Sequence, residues 1–139
     1  NQDVLLQKLN RYKVDLILLA GYMKKISKSI TRFYKYKILN IHPSLLPKYG
    51  GKGFYGMKVH EAVYKNHDRK SGATVHFVDE NYDTGPILLQ KEISLSPSED
   101  SLTIAKKVLD VEHEIYFQGV SLFCNDKIYW NKGKLLIKE

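Results

Sequence analysis

Three polar side chains, Asn40, His42 and Asp83, are of the types that could stabilise a carbonyl group as it becomes a tetrahedral oxyanion. An amide can donate a hydrogen bond to the oxygen, and an imidazole can donate one or carry a proton near pH 7. An aspartate that faces the histidine would favour its charged form and help to remove a proton. Because no nucleophilic Ser or Cys is required, the three residues predict direct transfer from a donor carbonyl to an amine.

Asn40 and His42 lie near the end of a predicted strand, in the segment ILNIHPSLLP at 38–47. Side chains alternate along a strand, so these two residues share one face. Pro43 lacks a backbone donor and restricts His42, so regular pairing should stop there. Ligands bind at the carboxyl edge of strands in open α/β sheets, and we therefore expect the site at this edge.

The same residues also have plain structural interpretations. A lone Asn or His at a strand end often serves in capping or local hydrogen bonding, and the DTGP sequence at 83–86 is by itself an ordinary turn. The glycine-rich GKGFYG at 51–56 follows a proline-containing loop rather than a strand, so it predicts loop flexibility and not a dinucleotide site. His60 and His113 lack companions at metal-binding spacing.

The order of predicted elements favours an α/β protein with an open, mostly parallel twisted sheet flanked by helices. The apolar run at 14–20 is typical of a strand that is buried on both faces. Turn residues at 131–133 separate the two strands of a predicted terminal hairpin. The patterns predict helices at 4–12, 27–36, 57–66 and 101–123, strands at 14–20, 37–41, 74–78 and 86–95, and hairpin strands at 127–130 and 134–137.

Glu112 interrupts the apolar stripe of the longest predicted helix, four residues after Val108 and three before Ile115. A carboxylate on an inward face is costly to bury without a partner. The position therefore predicts that Glu112 has a specific partner.

The chain has 139 residues, a formal net charge of +7 and one cysteine, Cys124. A single cysteine excludes an internal disulfide framework and favours a reducing compartment, so we predict a cytoplasmic location. The basic residues are scattered, which favours solvated faces or anionic small-molecule substrates over a nucleic-acid partner. No apolar run approaches the ~20 residues of a membrane span.

Four segments together resemble the phosphoribosylglycinamide formyltransferase family. They are NIHPSLLPKY at 40–49, HEA at 60–62, ATVHFVDENYDTGPILLQ at 73–90 and EHEIY at 112–116. The resemblance implies a Rossmann-like formyltransferase fold, with formyl transfer from the cosubstrate 10-formyltetrahydrofolate to the amine of 5-phosphoribosylglycinamide. It implies small-molecule partners, a monomer or homodimer, and no metal, nucleic-acid or membrane partner.

The resemblance also implies roles for individual residues. Asn40 and His42 match the pair that stabilises the formyl oxyanion, and Asp83 matches the aspartate that pairs with the histidine and assists proton transfer. Glu112 matches the glutamate that binds the glycinamide substrate. Lys24 lies where a basic residue can meet the glutamate tail of folate. Segments lining the folate pocket are matched by Leu19, Gly21, Met23, Lys24, Asp79, Glu80 and Asn81.

The chain departs from the family pattern in two places. The family begins with a strand and a phosphate-binding loop rich in glycine and serine, whereas this chain starts after them, so residues 1–139 are expected to be the C-terminal part of the catalytic domain. The loop at 50–56 is longer than in many relatives. Methionyl-tRNA formyltransferase and formyltetrahydrofolate hydrolase use the same Asn, His and Asp machinery and remain alternatives, as does a non-catalytic basic nucleic-acid-binding module.

Overall fold

The computed structural model describes residues 2–139, with side chains from Asp3 onward. Four strands form one sheet in their sequence order, and two further strands form a separate hairpin. The sheet contains β1 (Ile17–Ala20), β2 (Ile38–His42), β3 (Lys70–Phe77) and β4 (Ile87–Ser94), and the hairpin contains β5 (Ile128–Asn131) and β6 (Lys134–Ile137).

Four helices pack around these strands, close to the predicted positions. Ser27 caps the second helix by accepting a hydrogen bond from the backbone nitrogen of Ile30, and Asp100 caps the fourth by accepting one from Thr103. The helices are α1 (Gln2–Arg11), α2 (Lys28–Phe33), α3 (Met57–Lys65) and α4 (Ser101–Cys124).

The α/β class and the open sheet flanked by helices are confirmed, and the sheet is mixed. Strands β1 and β2 pair in parallel, whereas β2–β3 and β3–β4 pair antiparallel. His42, at the end of β2, lies opposite Thr74, in the first half of β3. The chain therefore leaves α3 near the end of β2 and runs back along it, instead of returning to the start of β2 as a parallel crossover would. Residues 78–86 then connect the end of β3 to the start of β4 beside it, which fits antiparallel neighbours. Parallel pairing among the described strands is therefore limited to β1 and β2.

Strand β1 differs from its prediction in length and burial. It covers Ile17–Ala20 rather than 14–20, and its residues alternate between partial burial and exposure. Leu18 is 47% exposed, so only one face of β1 is packed by the described residues. Ile17 and Leu19 pack against the side of the sheet that carries α1 and α2. The prediction of burial on both faces was therefore wrong.

Alternation along β2 separates two hydrophobic clusters. Leu39 and Ile41 belong to the larger cluster, which includes Val108 and Ile115 of α4. Ile38 points the other way and packs with Ile30 of α2. Asn40 shares the Ile38 face but lies nearer the end of the strand, where it is half-buried.

Tyr116 connects α4 to the two parallel strands. Its hydroxyl lies 2.7 Å from the carbonyl oxygen of Leu19 and 3.0 Å from that of Leu39. These carbonyls belong to β1 and to β2, immediately before Asn40. Glu112 lies one helical turn before Tyr116, so this contact sets the distance between Glu112 and the strand edge.

Candidate active site

The end of β2 places Asn40 and His42 side by side along one face, as the strand pattern predicts. Asn40 lies opposite His76 of β3, and its Nδ2 is 3.1 Å from His76 Nε2. His42 is only 4% exposed, and Pro43 follows directly where the strand ends. Both polar side chains therefore open onto the same edge of the sheet.

Asp83 reaches this edge from the turn between β3 and β4. Its Oδ2 lies 3.6 Å from His42 Nδ1, and its Oδ1 lies 3.5 Å from His76 Nε2. The side chain of Asp83 is 12% exposed, so its carboxylate faces both imidazoles in a mostly desolvated space. The structure thus brings the three predicted catalytic residues together.

Burial and charge act in opposite directions on this group. Burial lowers the pKa of His42 below its ordinary value, although Asp83 and the carbonyl of Tyr49 oppose the shift. Burial raises the pKa of Asp83, but the imidazoles of His76 and His42 and the Gly51 N–H outweigh it, so the pKa lies below its ordinary value. Asp83 is therefore a carboxylate at neutral pH.

The backbone of the β3–β4 turn is shaped to present Asp83. Asp83 has a φ of 54°, a left-handed conformation that costs a non-glycine residue about 1 kcal/mol. Gly85 packs against the end of β3 so closely that a Cβ there would lie 1.7 Å from the carbonyl oxygen of Phe77. The turn can approach β3 this closely only with glycine at position 85.

The loop after β2 holds both partners of the histidine–aspartate pair. The carbonyl oxygen of Tyr49 accepts a hydrogen bond of 2.7 Å from His42 Nε2, and the backbone nitrogen of Gly51 donates one of 2.9 Å to Asp83 Oδ2. The loop is itself anchored, since the Tyr49 hydroxyl donates to Asp68 at 2.7 Å. Both nitrogens of His42 are therefore engaged by protein groups.

A cavity of about 590 Å³ opens beside these residues. Its lining includes Asn40, His42 and Asp83, and Glu112 of α4 faces it from the opposite side. Burial raises the pKa of Glu112 to about 7, and no hydrogen bond or ion pair joins its carboxylate to any described residue. The partner predicted for Glu112 is thus not a protein side chain among residues 3–139, and the carboxylate faces space that a ligand can fill.

Comparison with known proteins identifies the family of this chain. The family described as formyl transferase matches residues 1–120. The chain belongs to the formyl transferase family. The phosphoribosylglycinamide formyltransferase, chloroplastic, of Vigna unguiculata is 47% identical over 128 residues, which cover 92% of this chain and 41% of that protein. The chain therefore spans less than half the length of this relative.

Solved structures agree with the family assignment. The phosphoribosylglycinamide formyltransferase of Anaplasma phagocytophilum superimposes with a TM-score of 0.88 at 31% identity, covering 99% of this chain and 65% of that one. A formyltetrahydrofolate deformylase from Pseudomonas syringae superimposes with a TM-score of 0.87 at 24% identity, over 99% of this chain and 44% of that one. The second likeness concerns the fold alone.

All but one of the residues predicted to line the folate pocket of a formyl transferase line two adjoining cavities. Gly21 and Met23 line the large one, which also contains the catalytic candidates. A smaller cavity of about 50 Å³ also reaches Asn40, His76 and Asp83. It is lined by Leu19, Lys24, Asp79 and Asn81 among others.

Glu80 is the one predicted folate residue that the structure turns elsewhere. Its carboxylate lies 3.8 Å from Lys28 Nζ and 3.7 Å from Arg32 Nε, both on α2. It lines neither of the two adjoining cavities but a separate depression beside α2. The cations of α2 attract the side chain away from the site, so the prediction of Glu80 as a cofactor-binding residue is not supported by its position.

Two buried histidines of this formyl transferase site were not predicted. His76 lies near the end of β3, and only the pairing register of β2 and β3 reveals that it lies opposite Asn40. His60 of α3 is 5% exposed and lines the large cavity, and its Nδ1 has no hydrogen-bond partner among the residues that the structure describes. Burial, followed by the charge of His42, lowers the pKa of His60. The signal in the sequence for His60 is its position in α3 on the face that carries Val59 and Val63, the other buried residues of the helix.

No group of three or more His, Cys, Asp or Glu side chains within residues 3–139 could hold a metal ion. Over the same part of the chain, no helix has the length and apolar character needed to cross a bilayer.

Proposed function

We propose that the protein transfers the formyl group of 10-formyltetrahydrofolate to the amine of 5-phosphoribosylglycinamide, a step of purine biosynthesis. The observation that supports it most is the convergence of Asn40, His42 and Asp83 on a cavity that Glu112 faces. We also propose that residues 1–139 form the C-terminal part of a formyltransferase catalytic domain, because the family match covers 1–120 and the chain spans only 41% of the Vigna unguiculata relative.

The cavity has properties that suit a folate cosubstrate. Its volume of about 590 Å³ lies within the 300–1,000 Å³ range typical of small-molecule sites. Tyr22 and Met23 supply apolar lining, and Asn40, His42 and Asp83 supply polar groups at the strand edge. Lys24 is exposed beside the adjoining cavity, where it can meet the carboxylates of the glutamate tail. The site therefore offers an apolar wall for the ring and a cation for the tail.

Asn40 is the group best placed to donate a hydrogen bond to the formyl oxygen. The Nε2–H of His42 is already donated to the Tyr49 carbonyl, and its Nδ1 faces Asp83. The Asn40 amide has one further hydrogen without a partner among the described residues, and it lines the cavity. Donors fixed in place before the reaction stabilise a developing oxyanion without reorganisation. A protonated His42 adds positive charge beside the oxygen, and the carboxylate of Asp83 favours that charged form.

Asp83 has the properties of the group that removes the amine proton. It is a carboxylate at neutral pH, and it is connected to His42, through which a proton can be shared. When an amine attacks the formyl carbon, the new C–N bond forms and the amine must lose a proton before the C–N bond to folate breaks. Asp83, directly or through water, accepts that proton, and the same proton then passes to the folate nitrogen as it leaves, so the folate departs as a neutral amine.

Glu112 is proposed to hold the glycinamide substrate. A partly buried carboxylate without a protein partner gains most from a ligand that brings hydrogen-bond donors. The amine and amide nitrogens of the glycinamide group, or the ribose hydroxyls, supply such donors. Binding to Glu112 would place the amine in the cavity that the catalytic residues line.

A formyl-transfer assay on the intact protein tests this function. We expect the folate product to form only when both 10-formyltetrahydrofolate and 5-phosphoribosylglycinamide are present. Formate release without the amine would favour the formyltetrahydrofolate hydrolase alternative, and formylation of methionyl-tRNA would favour the tRNA enzyme. Salt-dependent DNA binding that is unchanged by His42→Ala, with no turnover of any folate, would favour the nucleic-acid-binding module.

Compartment and assembly are parts of the same proposal. The cytoplasmic location rests on cysteine usage, whereas the name of the Vigna unguiculata relative is chloroplastic. A fluorescent fusion of the intact protein distinguishes the two compartments. A monomer or homodimer is expected, and sedimentation of the intact protein measures which of them forms.

A further inference from the structure

His76 lies directly opposite Asn40 in the β2–β3 pairing and has no role in the proposed reaction so far. Its side chain is 2% exposed, and each ring nitrogen has a close partner. Nδ1 is 2.9 Å from the carbonyl oxygen of Phe77, and Nε2 is 3.1 Å from Nδ2 of Asn40. The ring therefore connects the backbone of β3 to the side-chain amide at the end of β2.

These two partners determine which ring nitrogen carries hydrogen. A carbonyl oxygen only accepts, so Nδ1 must donate to Phe77. An amide nitrogen only donates, so Nε2 must offer its lone pair to Asn40. A neutral imidazole with its hydrogen on Nδ1 meets both conditions at once. Rotation of the ring would break both contacts.

We propose that His76 is a positioning residue that holds the Asn40 amide in the orientation needed for formyl transfer, an inference that rests on the proposed function. With one amide hydrogen bound to Nε2, the second hydrogen keeps a fixed direction. If the amide turned over, its oxygen would face the Nε2 lone pair and both hydrogens would move. His76 thus fixes the direction in which Asn40 donates, although His76 itself does not touch the substrate.

The contact between His76 and Asp83 defines the competing arrangement. Nε2 lies 3.5 Å from Asp83 Oδ1, a longer separation than the 3.1 Å to Asn40. With Nδ1 bound to Phe77, Nε2 can donate to Asp83 only if the ring is an imidazolium. The amide oxygen of Asn40 would then have to replace its nitrogen beside the ring. The arrangement with Asn40 requires that Nε2 carry no hydrogen, whereas the arrangement with Asp83 requires that it carry one.

Nitrogen NMR of the intact, ¹⁵N-labelled protein separates these arrangements without any enzymatic assay. The ring nitrogens of His76 are assigned by comparison with a His76→Gln sample. We expect a protonated Nδ1 and an unprotonated Nε2 at neutral pH. A hydrogen on Nε2, in either a neutral or a cationic ring, would overturn the proposal. If the wild-type protein transfers no formyl group, the proposed function fails, while this measurement still decides the positioning claim.

A pair of substitutions provides the kinetic test. The side-chain carbonyl of Gln can reach the position of Nε2 and accept from Asn40, whereas that of Asn is one carbon shorter. We expect His76→Gln to retain kcat within about threefold and His76→Asn to lower it about tenfold, the scale of one hydrogen bond, with little change in KM. Thermal melting of each variant serves as the folding control. Equal losses in the two variants would contradict the proposal.

A double-mutant cycle with Asn40 separates positioning from a general structural role. In the Asn40→Ala background there is no amide to orient, so adding His76→Asn should lower kcat by less than about twofold. If His76→Asn instead costs the same factor in both backgrounds, His76 does not act through Asn40 and the proposal is wrong.

Discussion

The Oδ2 atom of Asp83 lies 3.6 Å from Nδ1 of His42, although His42 ends β2 and Asp83 lies in the turn after β3. One loop holds both members of this pair. The carbonyl of Tyr49 accepts from the far side of the imidazole, and the N–H of Gly51 donates to the carboxylate. The geometry of the pair therefore depends on the loop as much as on the two strands.

Removal of either member of this pair should abolish most of the turnover. We expect His42→Ala and Asp83→Ala each to lower kcat by at least about a hundredfold, the scale of acid–base or oxyanion groups. Steady-state kinetics of the intact protein measures the effect. His113→Ala and Asp110→Ala are the matched controls, because both side chains lie on exposed positions of α4 and should leave kcat unchanged. Near-normal turnover in both site variants would refute the assignment.

The charge of Asp83 should be visible in the titration of its neighbour. Burial lowers the pKa of His42, and the carboxylate of Asp83 partly reverses that shift. In Asp83→Asn the opposing charge is lost, so the pKa of His42 should fall further below its value in the wild-type protein. An NMR titration of the His42 ring measures the direction. A pKa that stays the same or rises would mean that the two groups do not interact.

The carboxylate of Glu112 should make the folded protein less stable at neutral pH, although it is proposed to bind the glycinamide substrate. Burial raises its pKa from 4.5 to about 7, so between these pH values the native state binds a proton that the unfolded state has released. Stability therefore falls as pH rises through this window. Glu112→Gln should remove this dependence and stabilise the protein at pH 8 by about 1–2 kcal/mol, after allowance for partial exposure. Thermal or denaturant unfolding at pH 5 and pH 8 checks it.

The same substitution should weaken capture of the glycinamide substrate. We expect Glu112→Gln to raise its KM about tenfold or more, the scale of a hydrogen bond to a charged group. Glu114→Gln is the matched control, since this neighbouring carboxylate pairs with Lys91 on the surface and should leave KM unchanged. A variant of Glu112 with unchanged KM would show that the residue does not contact the substrate.

Gly85 should be required for the turn that presents Asp83. A Cβ at this position would lie 1.7 Å from the Phe77 carbonyl, so Gly85→Ala must move the turn and should destabilise the protein by about 2 kcal/mol or more. Displacement of Asp83 should also lower kcat. Gly133→Ala is the control: its φ of 76° costs about 1 kcal/mol, but its Cβ would contact nothing and kcat should not change. Equal kcat values in the two variants would show that Gly85 is not needed to position Asp83.

Sequence patterns predicted the parts of the site that depend on local rules. Alternation along β2 placed Asn40 and His42 on one face, and Pro43 marked the end of the strand. Helical spacing placed Glu112 on the inward side of α4, and the structure leaves it facing the cavity without a protein partner. Each of these features follows from the period of one element, so a single sequence was sufficient. Their catalytic and binding roles stay predictions until the kinetics are measured.

Features that depend on contacts between elements were not predictable in the same way. The antiparallel register that sets His76 against Asn40 is decided by how β3 enters the sheet, and no local pattern encodes it. The half-exposed β1 had the same apolar composition as a buried strand, and only its place at the sheet edge distinguishes them. The ion pairs of Glu80 with Lys28 and Arg32 are likewise tertiary interactions, which no local pattern encodes.

The phenol of Tyr116 has a single hydrogen, yet it lies within reach of carbonyls on two strands. Any shear of one strand past the other would shift that hydrogen toward one oxygen and release the second. Hydrogen exchange of the Asn40 backbone amide and detachment of α4 should then occur in the same local opening event. Opening of this sheet edge would therefore separate Asn40 from Glu112, which lie on the two sides of the substrate site.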